Sequence, residues 1–240
     1  MAEKNNTNIG FEKQIWDAAC VLWGHIPAAE YRQVVVGLIF LRYVSTAFEN
    51  RYKELVEAGE GFEDDIDAYK EVNVFYVPKT ARWEYISSFA HKPEIGKKID
   101  EAMAEIEANN PSLKNVLPKI FSNPDLDQKV LGNVVDIFTN VDMSDAEEKD
   151  LLGRTYEYCI AQFASVEGKK GGEYYTPSSI VKTLVAILKP FENCRVYDPC
   201  CGSGGMFVQS AKFIEKHAGK RGTISVYGQE ANSDTWKMAK

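Results

Sequence analysis

Apolar residues recur at helical spacing through most of the first two thirds of the chain. Phe11, Ile15, Ala18, Leu22 and Ile26 share one face of a helix predicted over residues 8–26, which Pro27 ends. Tyr31, Val34, Val35, Leu38, Leu41, Val44 and Phe48 form the buried stripe of a second helix over residues 29–58, stopped by Gly59 and Gly61. An acidic loop follows (Glu63, Asp64, Asp65, Asp67), then VNVFYVP at 72–78, a short strand-like piece closed by a proline. A helix is expected around 82–90. Another is marked by Ile95, Ile99, Met103 and Ile106 and ended by Asn109-Asn110-Pro111. Val130, Val134, Val135 and Phe138 mark a further one. Ser144-Asp145-Ala146-Glu147 reads as a capping box that opens the helix through DLLGRTYEYCIAQFA. The aromatic side chains of this region, Trp16, Trp23, Tyr31, Phe40, Tyr43 and Trp83 among them, read as helix-packing core.

The pattern changes after Phe163. Residues 165–177, SVEGKKGGEYYTP, form a glycine-rich loop around Lys169-Lys170. A helix is expected over 177–188, a strand over 194–200 (CRVYDPC), a helix over 203–217 and a strand over 223–230 (TISVYGQE), and ANSDTWKMAK begins another helix. Strand and helix alternating at this spacing signal a parallel α/β sheet. Two strands do not make a whole sheet of that type, so the domain is expected to be incomplete at Lys240. The division is then a mainly helical domain over 1–165 and the beginning of an α/β domain over 166–240.

Composition adds limits. Hydrophobic residues make up 45% and charged residues 26%, ordinary for a globular protein. The longest apolar stretch, 34–41, contains Gly37 and ends at Arg42, far short of the roughly 18 residues that a membrane span needs. The polar start MAEKNNTNIGFEK lacks the apolar core of a secretory signal, so no membrane association and a cytoplasmic location are expected. The net charge of −7 is uneven, with a balance of −11 over 1–165 and +4 over 166–240; the basic part could face nucleic acid. The five cysteines, Cys20, Cys159, Cys194, Cys200 and Cys201, have no zinc-site spacing, so no metal is expected. They read as reduced, small, half-buried residues.

The candidate chemistry lies in the last third. Asp198-Pro199-Cys200-Cys201-Gly202-Ser203-Gly204-Gly205 leaves a strand, turns tightly and enters a helix. Gly202, Gly204 and Gly205 permit positive φ and close approach of a ligand, and the helix start offers N–H groups to an anion. A glycine loop also suits a nicotinamide dinucleotide, but there the strand usually runs straight into the glycines. Here Asp198 precedes them, where it can accept from the ammonium of a bound methionine moiety. Glu230, at the end of the next strand and 26 residues after Gly204, can chelate two ribose hydroxyls. Upstream, Glu173-Tyr174-Tyr175-Thr176-Pro177-Ser178 places aromatics beside a helix start, where they could flank adenine or a sulfonium, with Thr176 placed to cap the helix.

The order of these three elements resembles the adenine-N6 DNA methyltransferases, and within them the modification (M) subunit of type I restriction-modification systems. FEKQIWDAACVLWG, YRQVVVGLIFLRYVS, the stretch from FYVP to ARW, and DLLGRTYEYCIAQFA are similar to the helical N-terminal domain of that subunit, so the resemblance covers essentially the whole chain. It implies a mainly α N-terminal domain followed by the start of a Rossmann-like α/β methyltransferase domain that uses S-adenosylmethionine. It also implies cofactor-binding roles for residues of three segments. Glu173, Tyr174, Tyr175, Thr176, Pro177 and Ser178 contact the cofactor. Asp198, Gly202, Ser203, Gly204 and Gly205 hold its methionine end, and Glu230 holds the ribose. The implied partners are DNA, a specificity subunit, a second M subunit and a restriction subunit. The usual loop of the family has Ala where this chain has Cys200.

One departure bears on activity. Amino-methyltransferases align the target amino group with an Asn/Asp/Ser-Pro-Pro-Tyr/Phe tetrapeptide, and these 240 residues contain none. Asn123-Pro124-Asp125-Leu126 has one proline and no aromatic and lies in the helical region. No catalytic residue is therefore assigned, and this chain alone is expected to be inactive. Two other readings stay open: a non-catalytic fragment serving as a subunit-interaction module, and a dinucleotide oxidoreductase.

Overall fold

The structure is a computed structural model. It describes residues 28–140, 176–218 and 224–239, with residues 13, 16, 17, 20, 158, 159 and 162. The helices expected over 8–26 and from the Ser144 capping box, and the segment 171–175, lie outside the described residues. The chain forms two units, Met1–Phe163 and Ala164–Lys240.

In the first unit α1 (Ala28–Ala58) buries every residue of its expected stripe, Tyr31, Val34, Val35, Leu38, Leu41, Val44 and Phe48. It ends where Gly59 and Gly61 take left-handed φ of 70° and 77°, a region that costs other residues steric strain. The short α2 (Ile66–Lys70) is capped by Asp65, whose carboxylate accepts from the Asp67 N–H. It buries Tyr69, which stacks on Phe48 at 4.6 Å while its hydroxyl donates to the Glu63 carbonyl at 2.6 Å. Burial, helped by neighbouring Tyr76, pushes the Tyr69 hydroxyl up to about 12. Arg82 covers the other side of this cluster, 4.7 Å from the Phe48 ring and 5.1 Å from that of Tyr52.

The strand-like expectation at 72–78 is corrected. Residues 74–78 have no strand assignment, and the side chain of Asn110 takes the place of a neighbouring strand. Its Oδ1 accepts from the Tyr76 N–H at 3.0 Å and its Nδ2 donates to the Tyr76 carbonyl at 2.9 Å. The β-branched and aromatic residues that suggested a strand serve instead to bury Val77 and bring Tyr76 to Phe48 and Tyr69.

The next helix, α3 (Trp83–Ser87), is shorter than expected and continues as turns to Ala90. Trp83 joins three elements. Its backbone N–H donates to Ser45 Oγ of α1 at 2.7 Å, and its indole N–H to Thr139 Oγ1 at 2.9 Å. α4 (Ile95–Asn109) buries Ile95, Ile99, Met103 and Ile106. α5 (Gln128–Asn140) buries Val134, Val135 and Phe138 as expected, but begins its buried face with Leu131 rather than Val130, which is half-buried.

The connection from α4 to α5 has no regular strand, so its polar backbone is satisfied by side chains. Asp100 accepts from the N–H groups of Phe121 and Ser122 at 3.0 and 2.9 Å. Glu107 accepts from the Leu117 N–H and the Lys119 ammonium. Gln128 accepts from the Gly96 N–H and donates to the Phe121 and Leu126 carbonyls. Backbones also approach so closely in this unit that two helical glycines have no room for a side chain. A Cβ on Gly96 would stand 2.0 Å from the Phe121 oxygen, and one on Gly132 would stand 1.9 Å from the Ala90 oxygen.

The second unit contains α6 (Ser178–Leu188), β1 (Arg195–Asp198), α7 (Gly205–Ala218), β2 (Ser225–Gly228) and α8 (Ser233–Ala239). The two strands pair in parallel, Arg195 with Ser225 through Asp198 with Gly228, which is the expected topology. α6 packs on α7, with Val181, Val185 and Ile214 buried.

Two predictions follow from the helical unit. Gly132→Ala is expected to lower stability by about 3 kcal/mol, because its Cβ meets a backbone oxygen that cannot rotate away. Gly61→Ala, strained but in open space, is expected to cost only about 1 kcal/mol. Urea unfolding midpoints of the two variants check this order. The second concerns acid. Burial alone would raise the Glu107 carboxyl, but the Lys119 ammonium and backbone donors outweigh it and hold the group below its ordinary range. The stability it contributes is thus present above the unfolded-chain value of about 4.3 and lost as pH falls through the lower folded value. A Glu107→Gln chain should show a shallower loss of stability across that window, read by denaturation at a series of pH values.

Candidate functional site

β1 and β2 end side by side, and the chain leaves both at the same edge. Asp198 pairs with Gly228 at that edge. One residue beyond, Gln229 ties the exits together: its N–H donates to the Asp198 carbonyl at 3.0 Å, and its carbonyl accepts from the Cys201 N–H at 2.9 Å. The Gly204 N–H then donates back to the Cys201 carbonyl at 2.9 Å, closing the turn that enters α7. Gly202 and Gly204 take φ of 56° and 83°, so two of the three glycines are required by backbone shape. Gly205 is different: its φ is not left-handed, and a Cβ there would meet nothing within 4 Å. Among the described residues there is no steric reason for a glycine at 205.

The two acids are arranged alike. Asp198 Oδ1 accepts from the Cys200 N–H at 3.0 Å, and Glu230 Oε1 accepts from the Asn232 N–H at 2.8 Å. Each carboxylate is held by a backbone donor two residues on, and its second oxygen has no hydrogen-bond partner among the described residues. The N–H groups of Gly202, Ser203 and Gly205 likewise meet no acceptor among them. Free carboxylate oxygens beside free N–H groups can receive a ligand that carries an ammonium, an anionic group and hydroxyls.

Cys201 lies beneath this edge with 8% exposure, and Cys200 is exposed. All five cysteines are free, as expected, but not uniformly half-buried: Cys159 is buried, Cys20 is exposed and Cys194 is intermediate. Burial, and then the negative charges of Asp198 and Glu230, push the Cys201 thiol up from its ordinary value, so it is no ready nucleophile at neutral pH. Among the described residues no group of three or more metal-ligating side chains is placed to hold a metal ion. No described helix is long and apolar enough to cross a membrane.

At the start of α6 the expectation for Thr176 is corrected. The N-cap is Pro177, its extended backbone (φ −54°, ψ 139°) making no side-chain cap bond; its carbonyl accepts from the Ile180 and Val181 N–H groups. Thr176 is one residue outside that cap and is exposed, and Ser178 opens the helix. Glu173, Tyr174 and Tyr175 lie outside the described residues. Asn123, the near match to a catalytic tetrapeptide, has structural work. Its Nδ2 donates to Glu30 at 2.9 Å and its Oδ1 accepts from the Asp125 N–H. Sequence reading missed Asn232, whose side chain accepts from the Thr235 N–H at the start of α8, and Gly228. The Asn three residues before Thr235 was a legible cap signal; the need for glycine at 228 was not.

Residues 11–138 match the model of the HsdM N-terminal domain, and residues 147–240 match that of N-6 DNA methylase. The chain is 34% identical to the type I restriction enzyme MjaIX methylase subunit of Methanocaldococcus jannaschii, over 96% of this chain and 44% of that protein.

The chain belongs to the type I methylase-subunit family.

A second family member, the type I restriction enzyme HindI methylase subunit of Haemophilus influenzae, is 38% identical over 68% of this chain and 41% of its own length. The chain thus spans less than half the length of these two relatives. Its fold is similar to that of the crystallised methyltransferase subunit of the type I restriction-modification system from Streptococcus thermophilus. The TM-score is 0.74 at 20% identity, covering 96% of this chain and 54% of that one. The mainly helical fold that leads into an N-6 methylase domain, expected from the sequence, is the architecture of the family.

The contrast between two glycines of the turn can be measured. Gly204→Val should lower stability by about 1–3 kcal/mol, since it imposes a branched side chain on a left-handed backbone. Its Cβ would also lie 3.4 Å from Ala239 Cα. Gly205→Ala is expected to change stability by less than about 1 kcal/mol. Thermal unfolding of both variants checks the difference and shows which one can report on ligand binding alone.

Proposed function

We propose that this chain provides the S-adenosylmethionine-binding part of a type I modification subunit, whose complete form transfers a methyl group to the N6 amino group of adenine in a specific DNA sequence. One observation carries the reading. Asp198 and Glu230 stand at the exits of adjacent parallel strands, and the glycine turn that follows Asp198 has N–H groups with no acceptor among the described residues. Ligands of open α/β sheets bind beyond such strand ends. Asp198 accepts from the ammonium of the methionine moiety, the turn and the start of α7 bind its carboxylate, and Glu230 accepts from the ribose hydroxyls. Gly205 leaves room for the ligand to lie against the backbone. Thr176, Pro177 and Ser178, with Glu173, Tyr174 and Tyr175, complete the cofactor contacts. S-adenosylmethionine supplies the methyl group, and the target adenine reaches it by leaving the duplex.

The partners proposed for the complete protein are a specificity subunit that reads the DNA, a second modification subunit and a restriction subunit, in the cytoplasm where the DNA is. The 240 residues contain no two adjacent prolines, hence no Asn/Asp/Ser-Pro-Pro-Tyr/Phe tetrapeptide to orient an amino lone pair. Holding a methyl donor without aligning the acceptor gives no transfer. By themselves these residues bind and do not methylate.

Calorimetry with S-adenosylmethionine is expected to show binding to the chain, and NAD none. Glu230→Ala should weaken that binding by about 2–4 kcal/mol, through the loss of hydrogen bonds to a charged acceptor. The same preparation, given tritiated S-adenosylmethionine and mixed-sequence DNA, should transfer no label. Unchanged affinity of Glu230→Ala would remove the ribose role, and NAD binding in place of S-adenosylmethionine would overturn the reading.

A further inference from the structure

We infer that Cys201 and Gly228 form a spacer that sets the distance between the two cofactor-binding acids, which makes Cys201 a positioning residue of the site. The inference rests on the cofactor reading and deepens it. The two acids lie on different strand exits, so their separation depends on how closely those exits pack. Backbone bonds through Gln229 join the exits, and side-chain packing at the same level decides how far the turn can settle onto β2.

At that level the room is filled. A Cβ built on Gly228 would lie 2.7 Å from Cys201 Sγ, 3.1 Å from Cys201 Cβ and 3.0 Å from Phe207 Cζ. The Cys201 side chain therefore rests on the bare backbone of the last residue of β2, with Phe207 of the first turn of α7 beside it. Gly228 has no left-handed φ, so this contact, and not backbone shape, is what excludes a side chain there. Cys201 is also the residue whose N–H meets Gln229 and whose carbonyl meets Gly204, so a shift of its side chain moves both ends of the turn. Asp198 lies three residues before it and Glu230 two residues after Gly228. The negative charges of both carboxylates reach its thiol.

A ligand that spans both acids gains from their correct spacing as a tethered pair of groups does. A fragment that meets only one acid does not. This separates a spacer from a merely structural residue. The 240-residue chain and its Gly228→Ala, Cys201→Ala and Cys201→Ser variants are titrated with S-adenosylhomocysteine, adenosine and methionine, followed by NMR so that millimolar affinities are read. Gly228→Ala, which wedges the exits apart, and Cys201→Ala, which lets them collapse, should each lower S-adenosylhomocysteine affinity about tenfold or more. Their affinities for adenosine and for methionine should stay within about twofold, which also shows that the unit is folded. Cys201→Ser, close in size, should restore the full ligand. Equal losses for all three ligands, no loss for S-adenosylhomocysteine, or a serine variant that behaves like alanine would overturn the spacer while leaving the cofactor reading intact. Failure of the unsubstituted chain to bind S-adenosylhomocysteine would overturn both.

Discussion

Two parallel strands that end at one edge, with their exits bonded through Gln229, are the constraint on which the candidate site depends. In a parallel pair the chain leaves both strands in the same direction, so whatever follows each strand gathers at one edge. Gln229, just past β2, donates to the Asp198 carbonyl and accepts from the Cys201 N–H, both at the exit of β1, and this brings the segments after Asp198 and Gly228 to the same level. The two acids, 32 residues apart in the chain, become neighbours of one glycine turn as a result. The turn itself needs left-handed backbone at Gly202 and Gly204, whereas Gly205 has no left-handed φ and, among the described residues, nothing within 4 Å of where a Cβ would stand.

The helical unit solves a different problem by different means. Its long stretch between α4 and α5 has no strand partner, and α4 and α5 supply side chains to bond its backbone: Asp100, Glu107 and Gln128. Asn110 does the same for the segment at Tyr76. A charged acceptor on a backbone N–H is stronger than a neutral one, which suits a connection that must be held without a sheet. Close backbone approach is the consequence at Gly96, which meets Phe121 and Gln128. Asn123 belongs to this scaffold through its bond to Glu30, which explains its presence without any chemistry.

Family membership and site chemistry rest on different observations. The similarity to type I methylase subunits runs along nearly the whole chain and includes the helical part, which carries no candidate cofactor residue. The chemistry is argued from a short stretch at the strand exits, where two carboxylates are oriented in the same manner by backbone donors. Neither depends on the cysteine pair. Cys200 is exposed, and Cys201 acts through its size and position.

Periodicity along the chain was enough to find α1, α4 and α5, because each buries one stripe and a stripe repeats at 3.6 residues whatever it packs against. The alternation of strand and helix was enough to give a parallel pair, and the placement of Asp198 and Glu230 at strand ends could be read from the strands themselves. The segment at 72–78 shows the limit. Its composition suited a strand, but a strand needs a neighbour, and here the neighbour is the amide of one distant asparagine. Glycines show it again. Gly59 and Gly61 announced a helix stop because they follow an apolar stripe, a local signal. Gly96, Gly132 and Gly228 are glycines because of atoms far away in the chain, the carbonyls of Phe121 and Ala90 and the sulfur of Cys201. Local order determined which residues form most of the helices and both strands, but not the extent of α3 or the absence of a strand at 74–78. Which backbone must lie bare against which neighbour was decided only by the packed structure, since that depends on contacts between residues whose separation in the chain carries no pattern.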